Sequence, residues 1–484
     1  MPLPIPKPML RVPGRSVGEH CVRYISTRGK APPLGFEEVM LSGLAPDGGL
    51  YMPEEWPRLL DATLFALRGA PYGEVAFRVM APFIGNAVAE AELRRMIAGA
   101  YGSFAHAAVT PLVQLAPDHW LLELFHGPTL AFKDVAMQLL VRLLDGSLER
   151  RSDRATLVCA TSGDTGAAAV EAFKNSAQCS LFVLHPHGRV SEVQRRQMTT
   201  VNAPSVHNVA IEGNFDDCQA IVKALFADRA FRAKVKLSGV NSINWARLLA
   251  QAVYYVYAGL SLGAPLREMS FCVPTGNFGN VFAAYVAWKL GLPVERLIVA
   301  TNANNILHRV LTTGRYERAG VMPTMSPSMD IEVSSNFERL LFDASDRDPA
   351  LVRKLMTKLS ETGSFALPAK TMREITRRFT SGSTDETATL AAIASAFSAT
   401  GELLDPHTAV AYAVAAKTAG RSGPKITLST AHPAKFPDAV EKACGVRPRL
   451  PSRLAGLLDR REAFDLLPND VETVKQHILT RSDR

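Results

Sequence analysis

No apolar run in this chain of 484 residues reaches the roughly 20 residues that a membrane-spanning helix needs. The stretch before Arg23 is rich in proline, has no acidic residue before Glu19 and has no apolar signal core, so it does not read as a secretion signal. Cysteine is scarce: six in all, at 21, 159, 179, 218, 272 and 444. No two of them stand at metal-ligand spacing, and none suggests a disulfide framework. Cys159 and Cys272 lie in strand-like apolar runs and read as buried thiols, which fits a reducing cytoplasm. The glycine-bearing loop at 274–280 is not GxGxxG and lacks the Lys-Ser/Thr pair of a P-loop, which disfavours a nucleotide triphosphate. Basic residues occur only as short pairs such as Arg150-Arg151 and Arg460-Arg461, without interleaved aromatics, so nucleic-acid binding is not expected. No internal repeat, Ser/His/Asp constellation or metal cluster stands out from spacing.

What is present describes an ordinary large globular protein. Hydrophobic residues make up 47% and charged residues 21%, and the length allows two or three domains. The net charge of +8 suits an anionic substrate, or merely reflects scattered arginines. Residues 1–22 read as a loose extension and 23–105 as a separate small unit. Residues 106–484 read as the main body, with a smaller α/β subdomain at about 146–260. Through the main body, short apolar runs lead into small-residue loops and then into helical periodicity. Such passages occur at Leu121–Phe125, Thr156–Ala160, Phe271–Val273 and Ile426–Leu428. This rhythm predicts an α/β fold with largely parallel sheets, in which ligands sit at the carboxyl ends of strands. The Ser/Thr/Ala-rich stretch 380–400 reads as a loop and a small-residue helix.

Five loops carry candidate chemistry. Lys133, in Phe125-His126-Gly127-Pro128-Thr129-Leu130-Ala131-Phe132-Lys133-Asp134, falls in the first turn of an expected helix among apolar residues. Desolvation and a helix N-terminus both favour the neutral amine over the ordinary lysine pKa near ~10.4, and a neutral amine is what Schiff-base chemistry needs. Taken alone, Lys133 reads rather as a surface lysine beside Asp134 in an amphipathic helix. Pro274-Thr275-Gly276-Asn277-Phe278-Gly279-Asn280 follows a strand and opens a helix, so its N–H groups can converge on a phosphate. Thr161-Ser162-Gly163-Asp164-Thr165-Gly166 is a second loop of this kind, in which Asp164 also reads as a helix cap. Asn241-Ser242-Ile243-Asn244-Trp245-Ala246-Arg247 sets small polar residues beside an arginine, and Ser429-Thr430-Ala431-His432-Pro433 ends a strand with hydroxyls.

Together these segments, with Arg23–Gly29 and Asp47–Tyr51, occur in the order found in threonine synthases, and the chain resembles the longer branch of that family. The resemblance implies a fold type II pyridoxal-phosphate enzyme, similar to the tryptophan synthase β subunit, with two parallel-rich α/β domains and a small N-terminal domain. It implies Lys133 as the Schiff-base lysine and general base, Gly276, Asn277, Phe278, Gly279 and Asn280 as the cradle of the cofactor phosphate, and Thr430 beside the pyridine nitrogen. Asp164 is placed near the cofactor's 3′ oxygen, where related enzymes often carry asparagine. Ser162, Thr165, Asn241, Ser242, Asn244 and Arg247 are candidates for the substrate. The activity implied is conversion of O-phospho-L-homoserine and water to L-threonine and phosphate in a cytoplasmic monomer or homodimer. A phospho-lyase releasing 2-oxobutyrate and an inactive cofactor-binding homologue are the alternatives.

Overall fold

The computed structural model describes residues 22–418 and 423–482. The proline-rich extension and Cys21 lie outside them, apart from Val22. A six-stranded sheet forms the larger layer. Its spatial order is Phe379–Ser383, Val294–Thr301, Met269–Pro274, Lys425–Ser429, His119–Glu123 and Leu112–Ala116. All neighbours run parallel except the last pair, whose short turn allows an antiparallel hairpin. The strand Met269–Pro274 is buried along its whole length, and its neighbours Val294–Thr301 and Lys425–Ser429 along most of theirs. Such near-continuous apolar runs are what a parallel sheet covered on both faces requires.

The smaller sheet has five parallel strands in the order Asp465–Pro468, Val206–Glu212, Cys179–Pro186, Ala155–Ala160 and Leu237–Ser238. This differs from the expected 146–260 subdomain in two ways. Its edge strand comes from the C-terminal segment, and the helix Val471–Ser482 packs its Val474 and Ile478 into the same core as Phe182 and Ile211. The helix Trp245–Ser261, by contrast, packs against the helices Tyr72–Ile84, Lys133–Arg150 and Gly279–Leu290 of the larger body.

The N-terminal unit is not separate in its packing. It pairs Tyr24–Ser26 with Tyr51–Pro53 and adds helices at Phe36–Ser42, Asp61–Ala66, Tyr72–Ile84 and Glu90–Tyr101. Its Tyr24, Phe36, Val75 and Phe83 belong to the same buried cluster as Trp245 and Phe282. Trp245 Nε1 donates to the Tyr24 hydroxyl at 3.1 Å, and that hydroxyl donates to the Phe83 carbonyl at 2.6 Å. Thr27 Oγ1 and Arg28 both reach Glu338. An interface closed by buried aromatic residues and a shared ion pair makes this unit a wall of the main body.

The stretch 380–400 departs from expectation at its start. Phe379–Ser383 is an edge strand, and the helix Glu386–Thr400 begins after an Asp385 cap whose side chain accepts the Ala388 N–H. Gly382 allows the strand to lie close to the helix Pro406–Lys417, because a Cβ there would stand 2.8 Å from Val414 Cγ1. Cys159, Cys179, Cys218 and Cys272 are free and buried, and Cys444 is partly buried.

Phe271 is fully buried in the middle of the large sheet, edge-on to Tyr255 with ring centroids 4.9 Å apart. Phe271→Ala should destabilise the fold by about 3–5 kcal/mol, through lost transfer energy and the cavity left behind. A lowered urea midpoint in the circular dichroism signal is the measurement that checks it.

Candidate active site

The carboxyl ends of the two sheets face a cavity of about 320 Å³. Lys133 enters it from the first turn of the helix Lys133–Arg150. The preceding loop is locked in two ways. Asp134 accepts hydrogen bonds from the Thr129 N–H at 2.8 Å and the Thr129 hydroxyl at 2.6 Å, closing the turn. Phe132 N–H donates to the Thr430 carbonyl at 2.8 Å and His432 N–H to the Leu130 carbonyl at 3.0 Å, so the lysine loop and the Thr430 loop hold each other. Leu130 adopts a left-handed conformation (φ 64°) within this tie.

Lys133 is therefore no surface residue. It is 7% exposed, and Asp134, its expected surface partner, is fully buried, with a carboxyl pushed up to about 6 by that burial. Lys133 Nζ lies 3.0 Å from Asp164 Oδ2 and 3.1 Å from Ser328 Oγ. Burial pulls its pKa below the usual lysine value, and the adjacent Asp164 carboxylate offsets only part of that pull. Burial would raise Asp164, but Lys133 and Lys435 on either side hold its carboxyl well below the usual range. Asp164 lies beneath Lys133 and outside the cavity lining, where Gln194 Nε2 also donates to it at 2.8 Å.

The residues 276–280 line the same cavity. Phe278 caps the helix Gly279–Leu290 in the left-handed region (φ 62°). The outward carbonyls are taken: Ser334 Oγ donates to Gly276 O at 2.8 Å, and Asn336 donates to Asn277 O through its N–H at 3.1 Å and its Nδ2 at 3.0 Å. Among the described residues the N–H groups of 276–280 have no protein acceptor. The Asn280 side chain accepts from the hydroxyls of Tyr254 and Tyr255, which leaves its Nδ2 as a further donor without a partner. A helix start with converging free donors fits a phosphate. A Cβ on Gly276 would stand 2.7 Å from the Ser328 carbonyl oxygen, so only glycine fits there.

Thr430 also lines the cavity. Of the six residues expected to meet the substrate, Ser162, Thr165, Asn241, Ser242 and Arg247 face it. Asn244 does not. It caps the helix Trp245–Ser261 by accepting the Ala246 N–H at 3.0 Å and donates Nδ2 to the Met40 carbonyl at 2.8 Å, so both ends of its amide serve the fold. Arg247 is 3% exposed and has no ion-pair partner among the described residues. One Nη donates to the Val240 carbonyl, Nε is unpartnered, and burial pushes its pKa down to about 10. A buried guanidinium without a carboxylate is costly unless an anion joins it.

Three residues came together without any sequence expectation of a role. Ser328 arrives on the turn Pro327–Met329. His407 follows the helix start Asp405-Pro406, a legible cap, and its Nδ1 lies 2.7 Å from Asp405 Oδ1 while its Nε2 accepts the Ser328 N–H at 3.2 Å. Lys435, fully buried, lies 2.9 Å from Asp164 Oδ1.

Three family models match the chain between residues 23 and 478. Residues 23–101 match the threonine synthase N terminus, 104–431 the pyridoxal-phosphate dependent enzyme family, and 408–478 the threonine synthase C-terminal family. Threonine synthase from Pseudomonas aeruginosa is 51% identical over 465 residues, covering 96% of this chain and 99% of that one.

The chain belongs to the threonine synthase family.

The pyridoxal-phosphate-bound threonine synthase of Brucella melitensis superposes with a TM-score of 0.94 at 53% identity, covering 96% of this chain and 100% of that one. Yeast threonine synthase gives a TM-score of 0.90 at 38% identity, with 95% and 99% covered. The chain is thus a pyridoxal-phosphate enzyme of fold type II, and the free donors of 276–280, the buried amine of Lys133 and the hydroxyl of Thr430 are the groups in this fold that suit that cofactor.

Gly276→Ala should weaken pyridoxal phosphate binding at least tenfold, because the loop must move away from the Ser328 carbonyl. The dissociation constant from fluorescence titration of the stripped protein reads this, while its unfolding temperature should change little.

Proposed function

We propose that the chain converts O-phospho-L-homoserine and water into L-threonine and phosphate, with Lys133 as both the cofactor lysine and the proton carrier. The observation behind this reading is a pair of anion-seeking groups in one cavity: the N–H loop 276–280, and Arg247 with its unsatisfied guanidinium. One suits the cofactor phosphate and the other a phosphate on the substrate.

Bound pyridoxal phosphate supplies an electron sink for negative charge on the substrate carbons beside the amino group. The protein's part is binding, orientation and proton movement. Gly276–Asn280 hold the phosphate end, with the dipole of the helix Gly279–Leu290 behind them. Thr430, which lines the cavity, would offer a neutral hydroxyl to the cofactor's ring nitrogen. Lys133 Nζ would remove the substrate's α-proton and then a β-proton, the electron pair of the broken Cβ–H bond expelling the γ-phosphate, and would afterwards return protons to the γ- and α-carbons. Arg247, Ser162, Thr165, Asn241 and Ser242 then hold the leaving phosphate, whose charge grows as the carbon–oxygen bond breaks. Water adds at the β-carbon to give threonine. Asp164, buried under the amine and bonded to two lysines, would orient Lys133.

Incubating purified protein with O-phospho-L-homoserine should give threonine and phosphate in equal amounts by amino-acid analysis and phosphate release; 2-oxobutyrate instead would move the chain to the phospho-lyases. Lys133→Ala should abolish turnover. Arg247→Ala should raise KM for the phosphorylated substrate by about tenfold to a hundredfold, the loss of one charge-assisted contact of about 1.5–3 kcal/mol. An unchanged KM would remove Arg247 from the phosphate site.

A further inference from the structure

The carboxylate of Asp164 lies between two lysines. Its Oδ2 meets Lys133 Nζ at 3.0 Å, and its Oδ1 meets Lys435 Nζ at 2.9 Å. The lysines are not equivalent. Lys435, from the turn Pro433–Lys435, is 0% exposed, does not line the cavity, and donates a second hydrogen bond to the Thr129 carbonyl at 2.7 Å. Lys133 lines the cavity, and among the described residues its only other bond is to the neutral hydroxyl of Ser328. One buried carboxylate does not compensate two buried ammonium groups. The excess is relieved most easily at Lys133, the more exposed of the two at 7% against 0%.

The surrounding charges favour the same partition. Arg247, from the helix Trp245–Ser261, adds positive potential at Lys133. Asp134 faces Lys435 from the helix Lys133–Arg150, and Arg453 stands near Asp134. His407 faces Asp164 with its Nδ1 on Asp405, while Lys223 and Asp330 lie on the cavity wall.

We propose that Lys435 is a positioning residue for the reaction: by matching the charge of Asp164 it leaves Lys133 as the surplus amine, free to be the nucleophile and base. This rests on the reading of Lys133 as the cofactor lysine. Asp164 thereby fixes the lysine's position without holding its proton, a separation of orientation from charge that a lone carboxylate would not give. Removing Lys435 should hand the carboxylate wholly to Lys133 and make its ammonium harder to discharge.

The test uses the full chain stripped of cofactor. Covalent capture of pyridoxal phosphate is followed from neutral to alkaline pH, trapped with borohydride and quantified on the Lys133 peptide by mass spectrometry. Lys435→Met should move the midpoint of the rate profile upward by about one pH unit, slowing capture near neutrality about tenfold. Lys435→Arg, which keeps the charge, should retain the wild-type midpoint. Asp164→Asn should lower the midpoint, and adding Lys435→Met to it should raise the midpoint again; this pair carries the test should Lys435→Met alone not fold. A midpoint that Lys435→Met leaves in place, in either background, overturns the proposal. Failure of the underlying reading looks different: the label would appear on another peptide and persist in Lys133→Ala.

Discussion

A buried lysine–carboxylate pair joins the two halves of this molecule. Lys133 hangs from the loop after a strand of the large sheet, and Asp164 opens the helix after a strand of the small one. Placing both groups in a water-poor contact 3.0 Å apart is tolerable only if each has further partners. The chain supplies them from far away in sequence: Ser328 for the amine, and Gln194 and Lys435 for the carboxylate. The geometry of the cavity follows. The edges of the two sheets cannot separate without exposing a charge that now has a partner, nor close without crowding the space above the amine.

Around that pair the donors divide by distance from the backbone. At one end the anion site is made of main-chain N–H groups, held open because Ser334 and Asn336 occupy the carbonyls of the same loop. Asn336 is in turn fixed by Arg339, a fully buried guanidinium that also binds the carbonyls of Tyr51 and Ile243. A single side chain thus connects the N-terminal unit, the Asn241–Arg247 segment and the phosphate loop. The other end is made of side chains, with Arg247 at its base. Backbone donors suit a group that stays bound through every turnover, and side-chain donors suit one that leaves.

The parts of this arrangement legible in the sequence are those encoded locally. A strand, a glycine-bearing turn and a helix start leave the same mark wherever they occur, so the loops at 133, 161–166, 274–280 and 429–433 stood out, and with them the parallel-sheet rhythm. Their shared order with one family made the fold readable. Residues defined by what they meet across the fold were not legible. Asn244 sits among good ligands in sequence, yet the Met40 carbonyl and the Ala246 N–H claim its amide. Ser328 has no local signature at all. The strand Phe379–Ser383 carries glycine and hydroxyl residues that read as loop, and only its pairing with Val294–Thr301 makes it a strand. The strand Asp465–Pro468 joins a sheet whose other members end at Ser238, a partnership no local pattern announces.

That late strand bears on the chemistry. From Lys425 onward the chain adds a central strand to the large sheet, presents Thr430 to the cavity, buries Lys435 against Asp164, and ends as the edge strand and last helix of the small sheet. One C-terminal segment thus takes part in both sheets and in the cavity between them, and it carries Lys435, the second cation on Asp164.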